Sequence, residues 1–363
     1  SAPSGHLPPR GVKGGARSDA EATGRAASTQ SETPRMRLPD PSSHRPHALH
    51  AADRRWPETN CWTDLWIEIV AALGHEPAAM LGFTVTQDFE GDQATFFKVP
   101  TADLERLWGL ELLELSIFDR LESHVAEQVG RGRVVLVEAD AHFLPDTLGI
   151  TWRTGHSKTT IGITAIDPAA RRLDYFHNAG FFRLEGDDYD GIFGVPGAVR
   201  DPAILFPYVE FLKIPAHPPQ VDLAREAVVL LKHHLARRPA ENPFAAWSAD
   251  FARHVADLAT RPPEWFHTYA FAWMRQYGAN FELLSSHLAW LEGQGETDLE
   301  APRLAAEEIA ETMKVMQFKL ARAMAKKRFD GLTEMIDGCA SAWERCMGAL
   351  ATKYIEEDAR AAA

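Results

Sequence analysis

The chain has only three cysteines in 363 residues, Cys61, Cys339 and Cys346. None stands in a CxxC pair, which argues against a disulfide framework, a zinc ribbon or a dithiol redox motif. Long apolar runs are also missing. Nothing approaches the roughly 18 consecutive apolar residues that cross a bilayer, and the N-terminus lacks the apolar core of a signal peptide. The expectation is a cytoplasmic protein with no membrane role. Positive charge is scarce: the formal net charge is −13, whereas recognition of nucleic-acid phosphates needs a basic face. The deficit is uneven, because residues 1–55 hold nine Lys/Arg against five Asp/Glu and the rest therefore carries −17.

With 45% hydrophobic and 25% charged residues, the chain has enough apolar material for a substantial core. Residues 1–50 are rich in Pro, Gly, Ser and Arg without apolar periodicity and read as a disordered tail. From Trp56 the pattern changes. Trp62, Leu65, Trp66, Ile69, Val70 and Leu73 form an i, i+3, i+4, i+7, i+8, i+11 stripe, which predicts an amphipathic helix ending at Gly74. Strands are predicted around 82–89 and 94–99, and helices around 101–110 and 118–132. Further strands follow at 133–140, 158–167 and 171–178, the last two joined by the turn-like "DPAAR". Residues 51–215 thus read as an α/β unit with a mainly antiparallel sheet. After the proline-rich 213–220, residues 216–363 read as a helical domain, with stretches at 221–237, 243–259, 263–276, 279–293, 301–328 and 330–357.

Cys61 follows Asn60, a good N-cap, and so falls at the first position of the predicted helix. Unpaired N–H groups and the helix dipole favour an anion there, so a thiolate is stabilised and the Cys61 amide becomes an oxyanion donor. Most cysteines are merely buried small hydrophobes. A nucleophilic one needs an imidazole for the proton and a third group to hold that imidazole. His156 precedes the strand 158–167, and Asn178 ends the strand after it. An antiparallel hairpin would make them neighbours. Asp167 and Asp174 are rivals of Asn178 for orienting the histidine, and His142 is a second candidate base. His177 has the opposite parity to Asn178, which would turn it away.

Other candidates bind rather than react. "QDFEGDQATFFK" collects Glu90, Asp92 and Gln93 around Gly91. It reads first as an acidic turn and second as a receiver for a substrate ammonium, with Glu90 foremost. Arg275 lies in an aromatic-rich helical stretch that is able to line a pocket. Lys314, Lys319, Arg322, Lys326, Lys327 and Arg328 read as a solvated face or, more sharply, a dock for an acidic protein. Cys339 and Cys346, seven apart on a helix and without histidine at ligand spacing, read as packing residues, and no metal site is expected.

Together "NCWTDLWIEIVAALG", "RVVLVEADAHFLPDT", "GHSKTTIGITAID" and "RLDYFHNAGFF" resemble a family of bacterial proteins related to the N-terminal domain of butirosin biosynthesis protein H, within the papain-like cysteine-peptidase superfamily. The resemblance covers roughly residues 50–215. It implies an α+β papain-like domain followed by an all-helical one, with Cys61 as nucleophile, His156 as base and Asn178 at the superfamily's Asp/Asn position. It also implies aminoacyl transfer from the phosphopantetheine thioester of an acyl carrier protein, through a Cys61 thioester, to an amine or hydroxyl of a small molecule or peptide. The phosphopantetheine arm would arrive with the carrier, and no bound cofactor is implied. On this resemblance Asp140, in "DAHFLP", serves local structure or acceptor binding. Asn60, Glu90, Asp92, Gln93, His177 and Arg275, read from the residues themselves, are the further candidates for the oxyanion and substrate side. A papain-like hydrolase and a non-catalytic binding protein on the same fold are the alternatives.

Overall fold

Asn60 starts the first helix, α1 (Cys61–Ala72), by accepting from the amides of Trp62 and Thr63, a cap worth about 1 kcal/mol. The predicted apolar stripe is the buried face: Leu65, Trp66, Ile69 and Val70 are fully buried. The computed structural model describes residues 38, 40–194 and 205–356. After α1 come a 3-10 segment (Pro77–Thr86), α2 (Thr101–Trp108), β1 (Glu111–Glu114), α3 (Leu121–Gly130), β2 (Val134–Asp140), β3 (Lys158–Asp167), β4 (Arg172–His177), β5 (Gly180–Glu185), α4 (Asp187–Phe193) and β6 (Val209–Lys213). The strands form one sheet in the order β1-β6-β2-β3-β4-β5, with antiparallel pairing throughout.

The sheet is covered on both faces. Leu136 of β2, Phe176 of β4 and Leu212 of β6 join the core that includes α1, whereas Val135, Val137, Ile161 and Tyr175 face a second core with Val125 of α3 and Tyr189 of α4. Helix α1 settles on β3 at Gly162, where a Cβ would stand 3.2 Å from both the Leu65 and Ile69 side chains. A larger residue there would lift α1, and Cys61 with it.

Helices α5 (Leu223–Leu235), α6 (Pro243–Thr260), α7 (Trp265–Ala270), α8 (Gln276–Gly293), α9 (Glu300–Lys326) and α10 (Thr333–Ala351) follow. The chain is therefore α+β, an antiparallel sheet followed by a helical region. The core against α1 continues into these helices through Leu231, Phe244, Trp247, Tyr277 and Met313. Among the described residues no helix is long and apolar enough to cross a membrane.

Four expectations change. The strand predicted at 82–89 is largely the 3-10 segment, wedged so tightly that a Cβ on Gly82 would stand 3.2 Å from the Leu231 backbone. No strand can pair there, so side chains take its carbonyls instead: Asn280 donates to Thr84, and His287 bonds Ala78. Residues 94–99 make a single bridge, Phe89 to Ala94, because the carbonyls of Phe97 and Val99 accept from Asn60 and Trp62 of α1. The helices predicted at 263–276 and 279–293 are continuous, since α7 passes into α8 through a π-helical turn at Phe271–Arg275.

The fourth change concerns the tail. Residues 1–37 and 39 lie outside the described residues, but 40–50 are ordered rather than disordered. His50 is buried between two carboxylates one turn apart on α1: its Nδ1 meets Glu68 at 2.5 Å and its Nε2 meets Asp64 at 3.2 Å. Glu68 also holds the His44 ring and the His47 amide. Replacing Glu68 by Ala strips this buried charge pair of a partner and is expected to cost about 3–5 kcal/mol in chemical denaturation.

Burial alone would lower the His50 pKa, but the hydrogen bonds and charges of Asp64 and Glu68 outweigh it and raise it to about 9. A raised imidazole pKa stabilises the fold fully below the unfolded value near 6.5, and that contribution is lost as pH rises through about 9. The stability gap between the wild type and His50→Gln is therefore expected to narrow by a few kcal/mol between about pH 6 and pH 10. A gap independent of pH would show that His50 is held as a neutral ring.

Candidate functional site

Cys61 is half-buried at the tip of α1 and opens into a cavity of about 600 Å³. Trp62, Phe96, Lys98, Leu136, Glu138, Lys158, Thr160, Tyr208 and Glu210 complete its lining. Phe96 and Lys98 belong to the unpaired segment that α1 holds by its carbonyls, and the Lys98 ammonium lies 4.8 Å from the Trp62 ring centroid. The wall opposite is the sheet. Leu136 and Glu138 alternate along β2, Lys158 and Thr160 along β3, and Lys158 Nζ bonds Glu138 at 2.6 Å.

The backbone at the helix tip is arranged for an anion. The Trp62 and Thr63 amides donate to the Asn60 side chain, and the Asp64 amide donates to the Asn60 carbonyl. The Cys61 amide has no acceptor among the described residues. Asp64, which could have opposed a thiolate, points elsewhere: it is buried and occupied by His50 and by the Thr59 amide and hydroxyl.

His156 does not line the cavity, and no hydrogen bond joins it to Cys61 among the described residues. It stands just ahead of β3, two residues before the cavity residue Lys158, which pairs across the strands with Asp140. Its Nδ1 bonds Asp140 Oδ2 at 2.6 Å, and its ring stacks on His142 with centroids 4.4 Å apart. Slight burial pushes the Asp140 carboxyl up, but hydrogen bonds from His156 and from the His142 and Ser157 amides hold it below the ordinary range. With Nδ1 committed to a carboxylate, Nε2 is the nitrogen left to exchange a proton.

The orienting partner of His156 is therefore Asp140, not Asn178. Asn178 occupies the two-residue turn between β4 and β5 with φ of 45°, a left-handed position that Asn tolerates better than most residues. Asp174 is taken by Arg183, and Asp167 closes the β3–β4 turn through the Ala170 amide. His142, the second candidate base, bonds the Gly155 carbonyl and supports the ring of His156.

His177 lies on the opposite face of the sheet. Buried, it bridges Thr159 Oγ1 at 2.8 Å and Asp146 Oδ2 at 2.6 Å, while the Tyr175 hydroxyl donates to the other Asp146 oxygen. This constellation is sealed from the Cys61 cavity by the sheet and ties the 141–157 segment, which contains His156, down onto β4. Glu90, Asp92 and Gln93 form the acidic turn around Gly91. Glu90 accepts from Thr95, and none of the three reaches the cavity. Arg275 sits over Phe271 at 5.6 Å, and the Phe271 ring in turn neighbours Phe96 at 6.4 Å, so Arg275 stays outside the lining.

Cys339 and Cys346 are buried in α10, and burial raises both thiols to about 12, as expected of packing residues. Of the basic face on α9, Lys314 covers the Trp56 ring and Lys327 donates to the Leu258 and Arg261 carbonyls. Among the described residues no cluster of three His, Cys, Asp or Glu is placed to hold a metal ion.

The residues that sequence reasoning missed, Lys98, Glu138, Lys158, Tyr208 and Glu210, line the cavity on both walls. Parity along β2 carried part of the signal, since Glu138 shares a face with Asp140 and Leu136. Residues 45–214 match the DUF1839 N-terminal domain, and residues 220–352 match the DUF1839 C-terminal domain. Among curated proteins nothing matches the chain.

Proposed function

We propose that this chain, which belongs to the DUF1839 family, is a cysteine-dependent acyltransferase with Cys61 as nucleophile. The observation that carries the reading is the placement of Cys61: a half-exposed thiol at a capped helix N-terminus, facing a cavity, beside an amide with no acceptor. The Cys61 sulfur attacks the carbonyl of an acyl thioester. The Cys61 amide receives the developing oxyanion, the bond from the carbonyl carbon to the donor sulfur breaks, and the donor leaves as a thiol with the proton that the Cys61 thiol gave up. His156, oriented by Asp140, takes the proton of an incoming amine or hydroxyl as it attacks the Cys61 thioester, and the cysteine is released. Thioester exchange is close to isoenergetic, so the site needs an anionic sulfur and an oxyanion donor more than a strong acid.

The resemblance of "NCWTDLW", "GHSKTTIG" and their neighbours to papain-like acyltransferases supplies the donor class, an aminoacyl group on a carrier-protein phosphopantetheine arm, and a papain-like ancestry for the sheet domain. The test loads the protein with aminoacyl thioesters and follows its intact mass with and without an added amine. A Cys61-bound acyl group that passes to the amine faster than to water supports the transferase. Release mainly to water makes the protein a hydrolase on the same site, and no adduct with any thioester removes the nucleophile.

A further inference from the structure

The cavity that Cys61 opens into has a helix N-terminus and a carboxylate in one lining. The N-terminus of α1 brings Cys61, whose amide has no acceptor among the described residues, and β6 brings Glu210. Glu210 is directly opposite Glu114 of β1 and directly opposite Leu136 of β2, two residues from Glu138. Like charges opposite one another in a sheet repel, and among the described residues neither Glu210 nor Glu114 is in an ion pair. Lys158 is committed to Glu138, and Lys98 lies over Trp62, close enough for its charge to be felt at Glu210, but no cation comes within ion-pair distance of Glu210 or Glu114 among the described residues. Among the described residues the hydrogen bond to the Glu210 carboxylate comes from the Tyr208 hydroxyl at 3.1 Å.

We propose that Glu210, with Tyr208 beside it, receives a primary ammonium group of the substrate within the Cys61 cavity. The inference deepens the acyl-transfer reading and rests on it for the group that bears the ammonium, either the acyl chain or the acceptor amine. A half-buried carboxylate without an ion-pair partner attracts a cation, the Tyr208 hydroxyl adds a polar contact, and Phe96 adds an apolar surface to the same cavity. The helix tip draws a carbonyl oxygen, so a ligand that carries both an ammonium and an acyl carbonyl meets a complementary group for each within one cavity.

Two measurements test this. The first reads the cavity without turnover, by the rate at which Cys61 is modified by 2-aminoethyl (cationic), 2-sulfonatoethyl (anionic) and methyl (neutral) methanethiosulfonate. In each case the Cys61 thiolate forms a disulfide with the reagent sulfur and methanesulfinate leaves. Cys339 and Cys346 are buried, and peptide mapping separates them. The cation-to-anion rate ratio is expected to fall about tenfold in E210Q, with the neutral reagent unaffected. E127Q, on the exposed face of α3 where Glu127 pairs with Arg131, is expected to leave the ratio unchanged. A ratio equal in E210Q and wild type, or lowered as much by E127Q, overturns the assignment. A Cys61 inert to the neutral reagent instead sinks the nucleophile, and this assignment with it.

The second measurement separates the sources. Glycyl and acetyl thioesters of N-acetylcysteamine are compared as donors, and ethanolamine and ethylene glycol as acceptors. Loss of the glycyl preference in E210Q assigns the ammonium to the acyl group, and loss of the ethanolamine preference alone assigns it to the acceptor. Retention of both preferences refutes the proposal.

Discussion

Cys61→Ala is expected to abolish acylation outright: no mass increment with any thioester donor, and turnover reduced by at least about 10⁴-fold. The side chain is half-exposed at a helix tip, so its loss should leave the midpoint of unfolding within about 0.5 kcal/mol of the wild type. That separation of chemistry from stability makes the result interpretable. Cys61→Ser is the harder control. It keeps the hydrogen-bonding shape but replaces a thiolate with a hydroxyl that ionises far less readily, and it is expected to be nearly as inactive. Persistence of an adduct in Cys61→Ala would move the nucleophile elsewhere. Cys339 and Cys346 could not take its place, because both are buried and their thiols are raised to about 12.

The second large effect concerns the proton. His156→Ala is expected to slow transfer from the Cys61 thioester by about 10²–10⁴-fold, and Asp140→Asn by about tenfold to a hundredfold. An amide at Asp140 still meets Nδ1 but no longer stabilises the imidazolium. Single-turnover kinetics, in which acylation and transfer are timed separately, distinguish these variants from a binding defect. The His156 side chain is largely solvent-exposed at 72% and that of Asp140 about one-third exposed at 36%, so less stability is at stake than at a buried pair. Full transfer rates in His156→Ala would place the base among the cavity groups, with the Glu138–Lys158 pair the first to examine.

How far the sequence could be read depended on the distance over which each residue finds its partner. Helix α1 was legible because its stripe, its N-cap and its buried face are set within a dozen residues, and the same holds for the β3–β4 hairpin with its "DPAAR" turn. Asp140 was visible as a residue of interest, yet its bond to His156 spans a 16-residue connection whose path is fixed by contacts such as Asp146 with His177. Asn178 was assigned from the β3–β4 hairpin, which forms, but its register pairs Gly162 with Phe176 and leaves Asn178 short of His156; nor did the sequence reveal that β5 follows after two residues and needs a left-handed position there. Predicted strands at 82–89 and 94–99 failed for the opposite reason: their β-rich composition is real, but packing against α5, α8 and α1 leaves no edge for them to pair with.

By itself the sequence determined the local matters: a capped helix beginning at a cysteine, a run of strands giving way to helices, and three thiols too few and too scattered for a framework. Those follow from near-neighbour periodicity, capping and composition, which operate within a turn or a hairpin. Only the tertiary structure decided what faces the sulfur. β6 arrives some seventy residues after β2 and inserts between it and β1, and that long-range pairing brings Glu210 and Tyr208 to the cavity wall. Non-local strand order is chosen by the burial of whole faces against α1, and no short stretch of sequence contains that information.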